Sequence, residues 1–127
     1  MFASTMDYCI RTYKDQSQIE HSKSILEENN SAILAQSELL SLACNPTRLR
    51  ILVLISQDEE LCVCDFSDVL EMSMPAVSQH LKKLREGGMI KSRRHAQTIF
   101  YSLTTIGDQF MVNLMKQMKL ESLTVTA

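Results

Sequence analysis

Three glycines, Gly87, Gly88 and Gly107, are all the sequence contains, and they form no phosphate-cradling loop. A Gly-x-Ser-x-Gly nucleophile elbow and a His-Glu-x-x-His zinc-protease pair are also missing. An enzyme is therefore not expected, nor a small-molecule substrate. No apolar run approaches the roughly 20 residues that a membrane-spanning helix needs. Residues 1–13 lack the basic start and apolar stretch of a secretory signal. A cytoplasmic protein without membrane contact is expected. His21, His80 and His95 do not cluster, and none reads as a metal ligand. No Cys/His pair follows the cysteines at zinc-finger distance.

What the 127 residues do hold is an uneven charge. The net charge of −2 argues against a polyanionic partner until it is divided along the chain. Residues 1–71 carry five Lys or Arg against twelve Asp or Glu, whereas residues 72–107 carry six against one, Glu86. A basic segment inside an acidic chain is the local footprint that phosphate binding requires, although a solvated helix beside a basic hairpin would read the same by charge alone.

Hydrophobic periodicity divides the chain into an N-terminal arm (1–30), one folded domain (31–122) and a tail (123–127). The arm is polar, without clear period over its first twenty residues. A helix is expected over roughly 24–44 and ends at Asn45-Pro46, because the residue before proline avoids helical geometry. Pro46 suits the first turn of a second helix, to Ser56, whose nearly continuous apolar stretch predicts burial on most sides. A short amphipathic helix is expected from about Cys62 to Glu71, on Phe66, Val69 and Leu70. Ser73 is the expected N-cap of a helix over 75–86 that Gly87-Gly88 closes. The period then becomes two: Met89–Arg94 and Thr98–Leu103 read as strands about a His95-Ala96-Gln97 turn. A last helix, 105–120, repeats apolar residues every four positions. The fold class is mainly α (α+β), about five helices with one β-hairpin, and two short helices followed by a hairpin is the winged helix-turn-helix order.

Within that order, helix 75–86 turns Val77, Leu81 and Leu84 inward. Gln79, Lys82 and Lys83 point outward, with Ser78 and His80 on the flanks. Gln can pair with adenine and Lys can meet phosphate or guanine. Arg93 and Arg94, at the hairpin tip, are positioned to reach phosphate or a minor groove. Double-stranded operator DNA is the expected partner.

Glu60-Leu61-Cys62-Val63-Cys64-Asp65 is the least ordinary stretch. Residues i and i+2 of a regular helix diverge by about 200°, so Cys62 and Cys64 can share an ion only if they straddle a helix start, where the backbone is still extended. A helix N-terminus is also expected to favour the thiolate. Two thiolates leave a soft ion incompletely ligated. Cys9 is either a third ligand, carried in by the arm or from another subunit, or a bystander, and Asp65 or water can add oxygen. Sulfur-rich sites select thiophilic ions such as cadmium, lead, mercury, arsenite, zinc or copper(I). The contrary expectation is that Cys62 and Cys64 are two small buried hydrophobes. Cys44, among apolar residues at a helix end, is expected in the core.

Asn-Pro-Thr-Arg-Leu-Arg-Ile-Leu from Asn45, Glu-Leu-Cys-Val-Cys-Asp from Glu60, Ala-Val-Ser-Gln-His-Leu-Lys-Lys-Leu-Arg-Glu-Gly-Gly-Met-Ile from Ala76, and Tyr-Ser-Leu from Tyr101 together resemble the ArsR/SmtB metal-sensing repressors over about residues 33–120. The resemblance implies a homodimer with its first and last helices at the interface, operator binding without metal, and release on metal binding. The box around Cys62 and Cys64 is similar to that of the CadC-type cadmium/lead sensors, which pair it with cysteines of an N-terminal arm. Cys9 fits that role alone, so a three-sulfur site is implied. Arsenite sensors of the family often carry a third cysteine where this chain has Ser67. The family's alternative site on the last helix needs His, and residues 105–120 have none. The expected function is thus a repressor released by cadmium or lead, with zinc also allowed. The alternatives are an arsenite- or mercury-responsive repressor of the same fold and a thiol-redox-switched regulator.

Overall fold

The computed structural model describes residues 12–120, so Cys9 lies outside the described residues. The chain divides into two compact units, residues 1–34 and 35–127. Its elements run α1 (Gln16–Ala43), α2 (Pro46–Gln57), β1 (Leu61–Cys62), α3 (Val63–Leu70), α4 (Met74–Glu86), β2 (Ile90–His95), β3 (Thr98–Leu103) and α5 (Thr105–Met118). Among the described residues no single helix is long and apolar enough to cross a membrane.

The first unit contributes the opening of α1. The helix starts two turns before the expected position near Ser24. Asp15 Oδ1 accepts the backbone N–H of Gln18 at 3.1 Å, a side-chain cap on an orphan donor. Residues 16–24 are polar save for Ile19, so no apolar period announces that turn. Ile25, Leu26, Ile33 and Leu34 stand exposed along this part of the helix.

The second unit holds the core. Ile51, Leu52 and Ile55 of α2, Phe66 of α3, Val77, Leu81 and Leu84 of α4, Met89 and Ile90 at the start of the hairpin, and Phe110 and Met111 of α5 are all buried. Each such large side chain contributes about 1.5–3 kcal/mol of burial free energy. Asn45 caps α2 by accepting the Arg48 N–H at 3.0 Å, and Ser73 caps α4 by accepting the Ala76 N–H at 3.3 Å. Gly88 takes the left-handed φ of +82° just beyond α4. Cys44 is exposed, contrary to the core position expected of it. Pro46 stops α1 at Ala43, which leaves Cys44 outside the helix whose apolar face it was assigned to.

The sheet is antiparallel, in the order β1-β3-β2. The hairpin pairs as expected, with His95 opposite Thr98 and Ile90 opposite Leu103. β1 is an addition: Leu61 and Cys62 pair with Tyr101 and Phe100. The arrangement of five helices, a helix-turn-helix at α3–α4 and a β-hairpin is the winged helix-turn-helix.

Candidate functional site

The two halves of the site meet at β1. Cys62 is both the last residue of β1 and the N-cap of α3, with extended backbone (φ −100°, ψ 170°). Val63 and Cys64 then enter the first turn of the helix. The junction is therefore extended on one side of the pair and helical on the other, as an i, i+2 chelate requires. Both cysteines line one cavity of about 220 Å³, shared with Gln97, Thr98 and Ile99 of the wing.

Asp65 closes the cap from inside the helix. Its Oδ2 accepts the backbone N–H of Cys62 at 3.0 Å and the Cys62 thiol at 3.3 Å. The electrostatics of Cys62 differ from the expected thiolate. Burial pushes its thiol above the ordinary value, and the Asp65 carboxylate adds to that, against backbone N–H groups of Asp65 and Cys64 that favour the anion. The helix terminus is outweighed chiefly by that burial, with the Asp65 carboxylate acting in the same direction. Cys64 is exposed, with its Sγ 3.9 Å from Met74 Sδ in the first turn of α4. Among the described residues no group of three or more His, Cys, Asp or Glu is arranged to hold a metal ion. The donor chemistry present, two thiols on one cavity, fits a thiophilic ion but leaves it short of ligands without a further sulfur.

The outer face of α4 carries Ser78, Gln79, Lys82 and Lys83, all exposed, opposite buried Val77, Leu81 and Leu84. His80 is half-buried, and its Nδ1 is shut from solvent without a hydrogen-bond partner. Burial, then the charges of Arg48 and Lys83, hold its pKa below the ordinary value, so the ring is kept neutral. Arg94 is exposed on β2. Arg93, also on β2, is engaged: its Nε and a terminal nitrogen donate to the two oxygens of Glu60 at 2.6 and 2.7 Å. The guanidinium also lies 5.2 Å from the centre of the Phe100 ring. The Glu60 carboxyl is lowered chiefly by that hydrogen bond.

Register explains why these groups belong together. Phe100 stands opposite Cys62 on one side and Arg93 on the other, so one cross-strand row joins the cysteine box to the wing. The pairing of Glu60 with Arg93 is not legible in the sequence because the partners lie 33 residues apart, across a sheet whose first strand has only two residues.

Comparison with known proteins follows the same lines. The profile described as "Bacterial regulatory protein, arsR family" matches residues 45–92, from the cap of α2 into β2. ArsR1 of Pseudomonas putida, an arsenic resistance transcriptional regulator, is 39% identical over 71 residues, which is 56% of this chain and 56% of that regulator's length. A cadmium resistance transcriptional regulatory protein, the CadC homolog of Staphylococcus aureus, is 31% identical over 99 residues, 78% of this chain and 80% of its own. The solved structure of HlyU from Vibrio cholerae, a transcriptional activator, superposes with a TM-score of 0.64 at 38% identity, covering 73% of this chain and 99% of HlyU. With its fold, its helix-turn-helix segment and these relatives in agreement, the chain belongs to the ArsR/SmtB family of winged helix-turn-helix transcriptional regulators.

Proposed function

We propose that this chain is a homodimeric repressor that holds operator DNA through α4 and the wing and releases it when Cys62 and Cys64, with Cys9 as third sulfur, ligate a thiophilic metal ion. Cadmium or lead is the effector that the CadC homolog and the shape of the cysteine box favour, with zinc next. Arsenite is disfavoured by Ser67, although arsenic regulators are among the relatives. Action on intracellular DNA makes the cytoplasm its compartment, and no catalytic step is involved. Residues 31–122 carry both DNA binding and sensing, with 1–30 as the arm that brings Cys9.

The observation that carries the reading is the position of the two thiols. They line one cavity at the β1–α3 junction, with wing residues forming its other wall. The backbone of Cys62 also shares a cross-strand row with Arg93, through Phe100. When bound, the ion would supply a cross-link among its sulfur ligands. The chain's own residues do the rest. The thiols give up their protons on ligation, Cys62 in spite of the Asp65 carboxylate beside it, so loading weakens as pH falls. Tying α3 to the arm biases the dimer towards a spacing in which its two α4 helices no longer fit adjacent major grooves. Ser78, Gln79, Lys82, Lys83, Arg94 and the flanking His80 are the groups offered to DNA, and Arg93 joins them once Glu60 lets go. A loss of ~100-fold in affinity needs only about 2.7 kcal/mol of coupling.

Absorption spectroscopy of the reduced protein tests the binding half. Cadmium or lead should produce sulfur-to-metal charge-transfer bands at one ion per chain, lost in Cys62→Ser. DNA release by oxidant, without any such band, would transfer the role to thiol oxidation.

A further inference from the structure

We propose that Met74 is a further sulfur donor to the ion held at Cys62 and Cys64, contributed by the reading helix itself; this rests on the metal-sensing reading above and adds a ligand to it. Met74 is the first residue of α4, directly after the Ser73 cap. Its Sδ stands 3.9 Å from Cys64 Sγ. With bonds near 2.3 Å, as zinc makes to sulfur, two donors on one ion stand about 3.8 Å apart at a tetrahedral angle and about 4.0 Å apart at a trigonal one, and a larger ion sets them further apart. The Cys64 thiol and the thioether thus have the spacing of two ligands of one such ion, with Met74 approaching Cys64 from outside the cavity that Cys64 shares with Cys62.

The bland alternative is a weak thiol–thioether contact in which Met74 only fills space. Exposure argues against it. Met72, two residues earlier, packs against the core, whereas Met74 remains 50% exposed while its sulfur meets Cys64. The described acidic and histidine side chains add no clustered ligands to the cysteine pair. They assemble no three-membered ligand group, and Asp65 Oδ2 accepts the backbone N–H of Cys62, a bond that persists when the thiol is deprotonated.

A thioether adds a soft donor without adding charge, which favours copper(I) and other soft, low-coordinate ions over harder ones. It also changes which element feels the ion. Ligation by Met74 pins the first turn of α4 to the start of α3, across the turn of the helix-turn-helix, so the reading helix is moved directly and not only through the dimer.

The test uses the full-length reduced protein with methyl-¹³C methionine, titrated without oxygen with cadmium(II) alone and with copper(I) alone. There are eight methionines, and Met74→Leu identifies the resonance concerned. The expected result is a shift of the Met74 methyl at one ion per chain with at least one of the two ions. Met74→Leu should keep the charge-transfer absorption of the cysteine pair and bind copper(I) about 10-fold more weakly. The methyl measurement is made on the wild-type chain, so it stands whatever the variant's stability. Charge-transfer absorption with an unmoved Met74 methyl for both ions would overturn the role of Met74 and leave the sensor standing. Absence of charge-transfer absorption with both ions, and with lead(II) added in their place, would overturn both.

Discussion

Arg93 illustrates how a side chain can be available by charge and occupied by geometry. The sequence offers it to DNA beside Arg94, but in the structure both oxygens of Glu60 hold it and Phe100 lies under it. The pair is a surface one, with Arg93 still 55% exposed, so it contributes little to stability. Its consequence falls on DNA binding. Glu60→Gln removes the competing charge and frees one cation for a phosphate, so log K should fall with log[salt] more steeply, by about 0.9. Fluorescence anisotropy across a salt series measures this. An unchanged slope would mean that Glu60 does not keep Arg93 from DNA. Cys62 teaches the same lesson about local fields. A helix terminus alone predicts a low thiol pKa, and burial, aided by the capping carboxylate of Asp65, reverses the direction.

At the scale of elements, legibility followed the length and period of each signal. α2, α4, the hairpin and α5 lie within a residue or two of their expected ends. Their apolar spacing is strong, and Pro46, Ser73 and Gly88 mark their ends by local chemistry. The opening of α1 was missed because polar residues carry no amphipathic signal, and β1 because two residues carry no period. β1 exists by virtue of its partner β3, a non-local fact. The cysteine pair is legible because its spacing is anomalous for a helix; the Glu60–Arg93 and Cys64–Met74 contacts are not, because each depends on a neighbour supplied by another element. Gly107 shows a further constraint hidden in one letter. It lies in the first turn of α5, where an added Cβ would run into the backbone carbonyl oxygen of Met89. Thr104 draws the same junction tight, donating to the carbonyls of Gly88 and Met89 and accepting the Gly107 N–H at 3.0 Å. Gly107→Ala should therefore cost about 1–3 kcal/mol as overpacking, read as a lowered urea midpoint at fixed protein concentration. A midpoint equal to wild type would mean that the junction opens without cost.

At the scale of the whole molecule, the exposed apolar residues call for a partner. Leu40 near the end of α1 and Ile106 of α5 border one cleft of about 290 Å³ and are 51% and 55% exposed. The proposed homodimer would cover them, and two-fold symmetry would set two α4 helices about 34 Å apart for successive major grooves. Leu40→Glu combined with Ile106→Glu should sediment as a monomer and lose at least ~100-fold in operator affinity, since one half-site cannot supply the contacts of two. A variant that stays dimeric would place the interface elsewhere. On the proposed function, ligation at the cysteine pair is coupled to DNA release. It is tested most directly by titrating metal into a complex of the reduced protein with DNA that the metal-free protein has selected from a random pool, with Cys62→Ser alongside. Cadmium or lead should weaken the wild-type complex by ~100-fold while the variant, binding equally well without metal, stays bound. Release of the variant at the same metal concentration, or retention of the wild type on DNA with the cysteines fully loaded, would contradict it.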